Sequence, residues 1–258
     1  MKIENYGSGE RCREVMRGLL ELDGAGGMPP WLHRVILLPI PAARDGVHVT
    51  GTDKLVSEVL MDIEPGDFVA GYGIPDEDIE IIKAQGAEYF DAAEDEEFLS
   101  VNAHLTALGA LGYILTNIKR IPSENVFGIV GYGRIGSRLS EMLMYLGAKI
   151  KVYTSKNATR LSLGECGIKT VYMERGCGCV PELEDVSVLI NTAPTPLGAT
   201  FSFGVPRGMT VIELASGNNF DGVEGVVRLP SIPDRAYPLS AGRAYLEAIL
   251  RAIEGVAL

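Results

Sequence analysis

Val126-Phe127-Gly128-Ile129-Val130-Gly131-Tyr132-Gly133-Arg134-Ile135-Gly136 runs from an apolar strand straight into a G-x-G-x-x-G loop, and the residues to Leu146 continue with helical apolar spacing. Each glycine has a separate task in such a turn. Gly131 allows the tight bend. Gly133 lets the backbone approach a pyrophosphate where a Cβ would collide with it. Gly136 allows helix and strand to pack closely. The helix start adds unpaired N–H groups and the positive end of a dipole. The stretch predicts a dinucleotide-binding Rossmann unit that begins at Asn125, with Gly131, Tyr132, Gly133, Arg134, Ile135 and Gly136 as its phosphate loop.

The end of the next strand selects the dinucleotide. An NAD-selective site places Asp or Glu there to accept hydrogen bonds from the ribose 2′-OH. This chain reads Val152-Tyr153-Thr154-Ser155-Lys156-Asn157, with no acid. Thr154 just past the strand is a further cofactor-binding candidate, Ser155, Lys156 and nearby Arg160 are suited to a 2′-phosphate, and Arg134 in the loop is suited to a phosphate. The pattern predicts NADP(H) in preference to NAD(H).

Outward from the loop, the βα rhythm continues. Strands are expected at 149–153, 169–172, 186–191, 210–214 and 225–228, with a helix at 158–165 and a closing amphipathic helix at 240–254. On the amino side, helices are expected at 10–22, 52–62 and 76–85, and strands at 35–38, 67–71 and 88–90. Gly86 reads as a helix C-cap. This is a second α/β unit with a mainly parallel sheet. Residues 95–118 form the longest helical pattern, apolar on nearly every face between Leu105 and Leu115, and expected to be buried on several sides. The division that follows is 1–101 for the smaller α/β domain, 102–119 for a linking helix, 120–239 for the Rossmann domain, and 240–258 for a helix returning to the first domain.

Composition narrows the function classes. The 258 residues carry a formal net charge of -11. A surface this acidic disfavours nucleic acid, and no Lys/Arg run offsets it. The acidic stretches at 75–78 and 91–97 read as solvated helix starts. No uninterrupted apolar run is long enough for a bilayer and no apolar segment follows Met1, so a cytoplasmic location without membrane association is expected. Cys177-Gly178-Cys179 is too tightly spaced, and lacks a second pair, for a zinc site; loop thiols and no metal are expected.

The acid/base chemistry of 2-hydroxyacid dehydrogenases is missing. The three histidines, His33, His48 and His104, all precede the glycine loop. Ser216-Gly217-Asn218-Asn219 falls where those enzymes carry a substrate-binding Arg, and it contains none. A lactate-dehydrogenase-like mechanism is disfavoured.

Between Val35 and Gly242 an ordered series of motifs resembles dipicolinate synthase, specifically the first of its two subunits. Leu38-Pro39-Ile40-Pro41 is similar to its Leu-Pro-x-Pro, and Asn102-Ala103-x-x-Thr106 to its Asn-(Ala/Ser)-x-x-Thr. Gly131–Gly136 followed by Leu146-Gly147-Ala148 resembles its cofactor loop and helix end. Asn191-Thr192-Ala193-Pro194 resembles Asn-Thr-x-Pro, and Ile212-Glu213-Leu214-Ala215-Ser216 resembles Ile-Asp-Leu-Ala-Ser. Leu229-Pro230 through Pro238-Leu239-Ser240-Ala241-Gly242 is similar to its Pro-rich stretch ending in Ala-Gly. Several positions depart from the pattern. Gly7-Ser8-Gly9-Glu10-Arg11 only echoes Gly-Gly-Asp-x-Arg after a poor strand, and Ala107 replaces a Glu. Gly217–Asp221 replaces Arg-Pro-Gly-Gly-x-Asp, and Ile232-Pro233-Asp234-Arg235 replaces Leu-Pro-Gly-Lys. These fall on the expected substrate side.

The resemblance implies a Rossmann domain with a smaller flavodoxin-like domain, in the formate/glycerate dehydrogenase-like layout. It implies a nicotinamide-linked redox step on a small cyclic dicarboxylate, with pyridine-2,6-dicarboxylate as product. It also implies the family's second, flavoprotein-like subunit as partner, in the mother cell of a spore former. Thr192, Ala193 and Pro194 are expected at the nicotinamide ribose, and Ala215, Ser216 and Asn218 near the ring. Pro39, Pro41, Asn102, Thr106, Ser240, Ala241 and Gly242 are expected to line the substrate site. The dicarboxylate needs cations, for which Arg235, Arg243 and Arg44 are the candidates; His104 is a weak acid/base candidate, and the catalytic residues stay unassigned. The alternative is a dinucleotide-binding module or partner subunit without turnover. The small-residue face of Leu105–Leu115 suits a homodimer.

Overall fold

The structure, a computed structural model, describes residues 1–256. The chain forms two compact units, one from residues 1–102 together with those from Pro233 onward, the other from Ala103–Ile232. The return to the first unit thus starts at Pro233 rather than 240, because a short helix precedes the closing one.

In the first unit, β1 (Lys2–Asn5), β2 (Arg34–Leu37), β3 (Asp67–Gly71) and β4 (Glu88–Asp91) form a parallel sheet in the order β1-β2-β3-β4. The flavodoxin-like order is 2-1-3-4-5; leaving out strand 2 gives the order seen here. Helix α1 (Glu10–Gly24) packs its buried face, Cys12, Val15 and Leu19, with Val35, Leu37 and Phe68 on one side of the sheet. On the other side Ile36, Leu38 and Val69 meet α2 (Val56–Val59) and α3 (Asp76–Ala84). The helix expected over 52–62 shrinks to α2, flanked by turns. Glu58 accepts a hydrogen bond from the Leu55 N–H and so starts the helix late. The strand preceding Gly7, poor by composition, forms because β2 pairs with it along its whole length.

The acidic stretches are only partly solvated. Asp78 and Asp91 are buried, and Asp91 accepts N–H groups from Gly73, Ile74 and Ala93. It therefore ties the ends of β3 and β4 together rather than facing water.

Helix α4 (Glu96–Asn117) contributes its first turns to one unit and the rest to the other. It is long and apolar enough, by length and composition, to cross a membrane. Ala107, Ala110 and Ile114 are core residues, while Leu115 is exposed, so the helix is not buried all round.

The second unit is built on β5 (Val126–Val130), β6 (Lys149–Thr154), β7 (Lys169–Tyr172), β8 (Val188–Asn191), β9 (Thr210–Glu213) and β10 (Val226–Arg228). All six are parallel, in the order β10-β9-β8-β5-β6-β7. Helix α5 (Arg134–Tyr145) follows β5, and α6 (Asn157–Glu165) follows β6. α7 (Ile232–Ala236) and α8 (Pro238–Val256) complete the chain, with α8 packing Tyr245, Ala248 and Ile249 into the first unit's core. Each sheet anchors its amino edge with a buried cation: Arg34 pairs with Asp67, and Lys151 with Asp185.

Candidate functional site

The chain runs from β5 to β6 on one side and later returns to place β8 on the other side of β5. That reversal opens a crevice beyond the carboxyl ends of β5 and β8, where open α/β sheets take their ligands. Two loops meet there. The Gly131 N–H donates to the Tyr153 carbonyl at 2.9 Å, and the Thr192 N–H and hydroxyl both donate to the Val130 carbonyl at 2.9 Å. Gly131 has φ +86°, and a Cβ on it would lie 2.9 Å from the Ala193 Cβ. A Cβ on Gly136 would lie 2.4 Å from the Gly131 carbonyl oxygen and 2.8 Å from the Thr192 hydroxyl. The fold itself therefore requires both glycines. Gly133 differs: its backbone is extended, and a Cβ there would meet no protein atom within 4 Å. Nothing in the polypeptide demands glycine at 133. The face of the turn at Gly133 is therefore open, where such turns let a pyrophosphate approach the backbone.

The cleft in front of the loop has a volume of about 190 Å³. It brings together Gly131, Tyr132, Gly133, Thr154, Ser155, Lys156, Thr192, Ala193 and Pro194, as the sequence predicts, and adds Met173, Arg175 and Thr195. Among the described residues no carboxylate lines it. Lys156 and Arg175 are exposed, and neither makes an ion pair or a side-chain hydrogen bond among the described residues. In a chain of net charge -11, a cleft with two bare cations and no acid is selective for an anion. Arg175 was missed because its place beside Lys156 depends on β7 pairing with β6; the readable signal was a basic residue just past a strand end.

Not every predicted cofactor residue lines the cleft. Arg134 and Ile135 open α5, and Gly136 is buried by close packing. Arg160 is turned to the Tyr172 ring, 5.6 Å from its centroid, and donates to Asn157. A larger hollow of about 390 Å³, between Val126, Met144, Lys149 and Asp185, lies at the amino ends of the strands. It is away from the glycine loop, and Lys151 at its wall is already paired with Asp185, so the smaller cleft is the candidate site.

Beside the cleft, a buried polar pair shapes the loops after β8 and β9. Asn191 donates to both carboxylate oxygens of Glu213, at 3.1 and 3.2 Å, and accepts the Ala193 N–H; Glu213 accepts the Ala215 N–H at 2.8 Å. Burial pushes the Glu213 carboxyl above the ordinary range, and the hydrogen bonds from Asn191 and Ala215 pull the other way. Ser216 is exposed and its carbonyl accepts from Asn219, while the Asn218 amide is committed to Asp221 at 3.0 Å.

In the first unit, Pro39 is buried and Pro41 follows a cis peptide bond, both past the end of β2. Asn102 is the last residue of this unit before the chain leaves it; Thr106 lies in the other unit, buried. Ala241 and Gly242 are buried where α8 meets α1: a Cβ on Gly242 would lie 2.6 Å from the Glu14 Cβ. They serve helix packing. Ser240, Arg235, Arg243, Arg44 and His104 are exposed. The residue that stands out is Arg11, the last of the Gly7–Arg11 stretch, which was not among the expected ligands. It is buried, its Nη2 donates to Asn102 at 3.2 Å, and its Nε lies 2.9 Å from Asp234.

No protein-family model matches the sequence, and no curated protein matches it. Solved structures do. The first subunit of dipicolinate synthase from Bacillus halodurans is 21% identical with a TM-score of 0.73, covering 98% of this chain and 97% of that one. Its counterpart from Bacillus subtilis is 19% identical with a TM-score of 0.72, covering 99% and 97%. The chain has the fold of this dipicolinate synthase subunit. D-Lactate dehydrogenase from Escherichia coli is more distant, 12% identical with a TM-score of 0.58 over 100% and 96%. The expected architecture, a Rossmann unit with a smaller α/β unit in a dehydrogenase-like layout, is the one observed.

Proposed function

We propose that this chain is an NADP(H)-linked oxidoreductase of the dipicolinate synthase type, acting on a small dicarboxylate. The observation that carries it is the cleft at the β5/β8 reversal, with a glycine at 133 that packing does not require and, among the described residues, two unpaired cations and no carboxylate in its lining. Gly131–Gly136 and the α5 N–H groups would hold the pyrophosphate, and Lys156, Arg175 and Ser155 the 2′-phosphate. An acid among them would repel that phosphate; its absence supports NADP(H) over NAD(H).

When bound, the nicotinamide supplies the hydride donor or acceptor. The chain's own residues orient it: the Asn191–Glu213 pair presets the loops that carry Thr192, Ala193, Pro194 and Ala215. Among the described residues the second unit's only histidine is His104, exposed on α4, and no described residue lining the cleft is a histidine, so proton transfer in the manner of D-lactate dehydrogenase has no imidazole in that lining. A flavoprotein-like second subunit is proposed as partner on the resemblance alone.

The test is hydride transfer by purified protein with NADP(H) and pyridine dicarboxylates or their reduced precursors, with and without that partner. Turnover supports the enzyme reading. Tight NADPH binding with no turnover under either condition favours the second reading, a dinucleotide-binding subunit, which the commitment of Arg11 to Asp234 also supports.

A further inference from the structure

Arg11 follows β1 at the carboxyl edge of the first unit's sheet, the edge on which parallel α/β sheets take ligands. Its side chain is 3% exposed, whereas that of Asp234 is 37% exposed. The guanidinium is thus buried, while the carboxylate paired with it reaches water. The pairing is incomplete: the Nε atom has no aligned acceptor although Asp234 is within 2.9 Å. The Tyr245 hydroxyl, buried on α8 and close enough to feel the charge of Arg11, has no hydrogen-bond partner either. Burial raises the Asp234 carboxyl, and the charges of Arg11 and, more weakly, of Arg44 on the loop after β2 oppose that rise.

Arg34 shows what a purely structural cation looks like in this fold. At the amino edge of the same sheet it is shared by Asp67, Glu4 and Asp62, and it also donates to the Asp62 carbonyl. Among the described residues Arg11 has one carboxylate and one amide.

We propose that Arg11 is the receptor of a carboxylate-binding site on the first unit, and that Asp234 fills it as a built-in carboxylate which a small organic acid must displace. Asn102 is a positioning residue that holds the guanidinium plane. The contact is autoinhibitory: the site's affinity for an external acid is limited by competition with Asp234 from the same chain.

The test uses malonate as probe, without nucleotide, at ionic strength held constant with sodium chloride. Calorimetry is expected to show Asp234→Gly binding malonate at least tenfold more tightly than the wild type. Arg11→Gln in the same background is expected to abolish the gain. Equal or weaker binding by Asp234→Gly, or binding that survives Arg11→Gln, overturns the proposal. If Asp234→Gly is too unstable to isolate, Asp234→Asn is read instead as a rise in melting temperature on adding malonate, absent from Arg11→Gln/Asp234→Asn; no rise in Asp234→Asn also overturns it. The proposal does not rest on the nucleotide reading. Lys156→Glu, which tests that reading, is expected to leave the malonate response of the Asp234 variants unchanged.

Discussion

The two units present the same kind of edge, the carboxyl ends of parallel strands, and treat its positive charge in opposite ways. In the Rossmann unit Lys156 and Arg175 stand in water and are left bare. In the smaller unit Arg11 is buried and paired with Asp234. The difference follows from solvation. An exposed ammonium or guanidinium keeps its water and costs little while it waits for a ligand. A buried one cannot be left uncompensated, since breaking a buried ion pair by removing one partner costs about 3–5 kcal/mol. The bare edge is ready for a ligand; the paired edge has to be opened first.

Glycine substitutions test the open edge most severely. Gly136→Ala puts a Cβ 2.4 Å from the Gly131 carbonyl oxygen, so it is expected to cost about 3 kcal/mol in urea unfolding. Gly133→Ala meets no protein atom within 4 Å. It should leave stability within about 0.5 kcal/mol while cutting NADPH affinity about 100-fold, roughly 2.8 kcal/mol. Equal loss of stability in both variants would mean that the loop is shaped by packing alone.

The bare cations come next. Lys156→Glu should weaken NADPH about 10- to 100-fold and leave NADH nearly unchanged, with Arg175→Glu in the same direction. Calorimetry showing NADH preferred by the wild type would remove the 2′-phosphate assignment.

A smaller effect concerns the polar pair behind the open edge. Because burial raises the Glu213 carboxyl, the folded chain holds that proton more tightly than the unfolded one. Its contribution is complete below the ordinary Glu range and is lost as pH rises through the shifted value. Unfolding followed from pH 4 upward should therefore show a fall that Glu213→Gln flattens, by at most about 1.4 kcal/mol per pH unit for a single proton. An identical pH dependence in both proteins would show that folding does not shift the Glu213 carboxyl.

The paired edge yields a thiol count. Cys12, next to Arg11, is buried and its pKa is pushed up to about 11 by desolvation, while Cys166, Cys177 and Cys179 are exposed. Alkylation at pH 8 should modify the three exposed thiols in the native protein and reach Cys12 only in denaturant. Native reaction at Cys12 would mean that the edge opens readily by itself.

Strand β5, its glycine loop and α5 were legible because each signal is local: an apolar run, three glycines at fixed offsets, a helical period. The same holds for most strands of both sheets and for the missing acid after β6. Residues 52–62 misled because four apolar residues at helical spacing occur there, yet only Val56–Val59 is helical; tertiary packing of loops under the sheet overrode the period. β1 was undervalued because its composition is poor and its stability comes from β2.

What the order of residues settled was short-range: which segments become strands and helices, where a backbone must bend without a Cβ, and the absence of acid at a strand end. Pairings between distant segments were settled by the folded chain: Arg175 beside Lys156 through the β6–β7 ladder, and Asp234 beside Arg11 through the return of α8 onto α1. A charge acquires its role from what solvates or opposes it, and burial and partners exist only once the sheets and helices have packed.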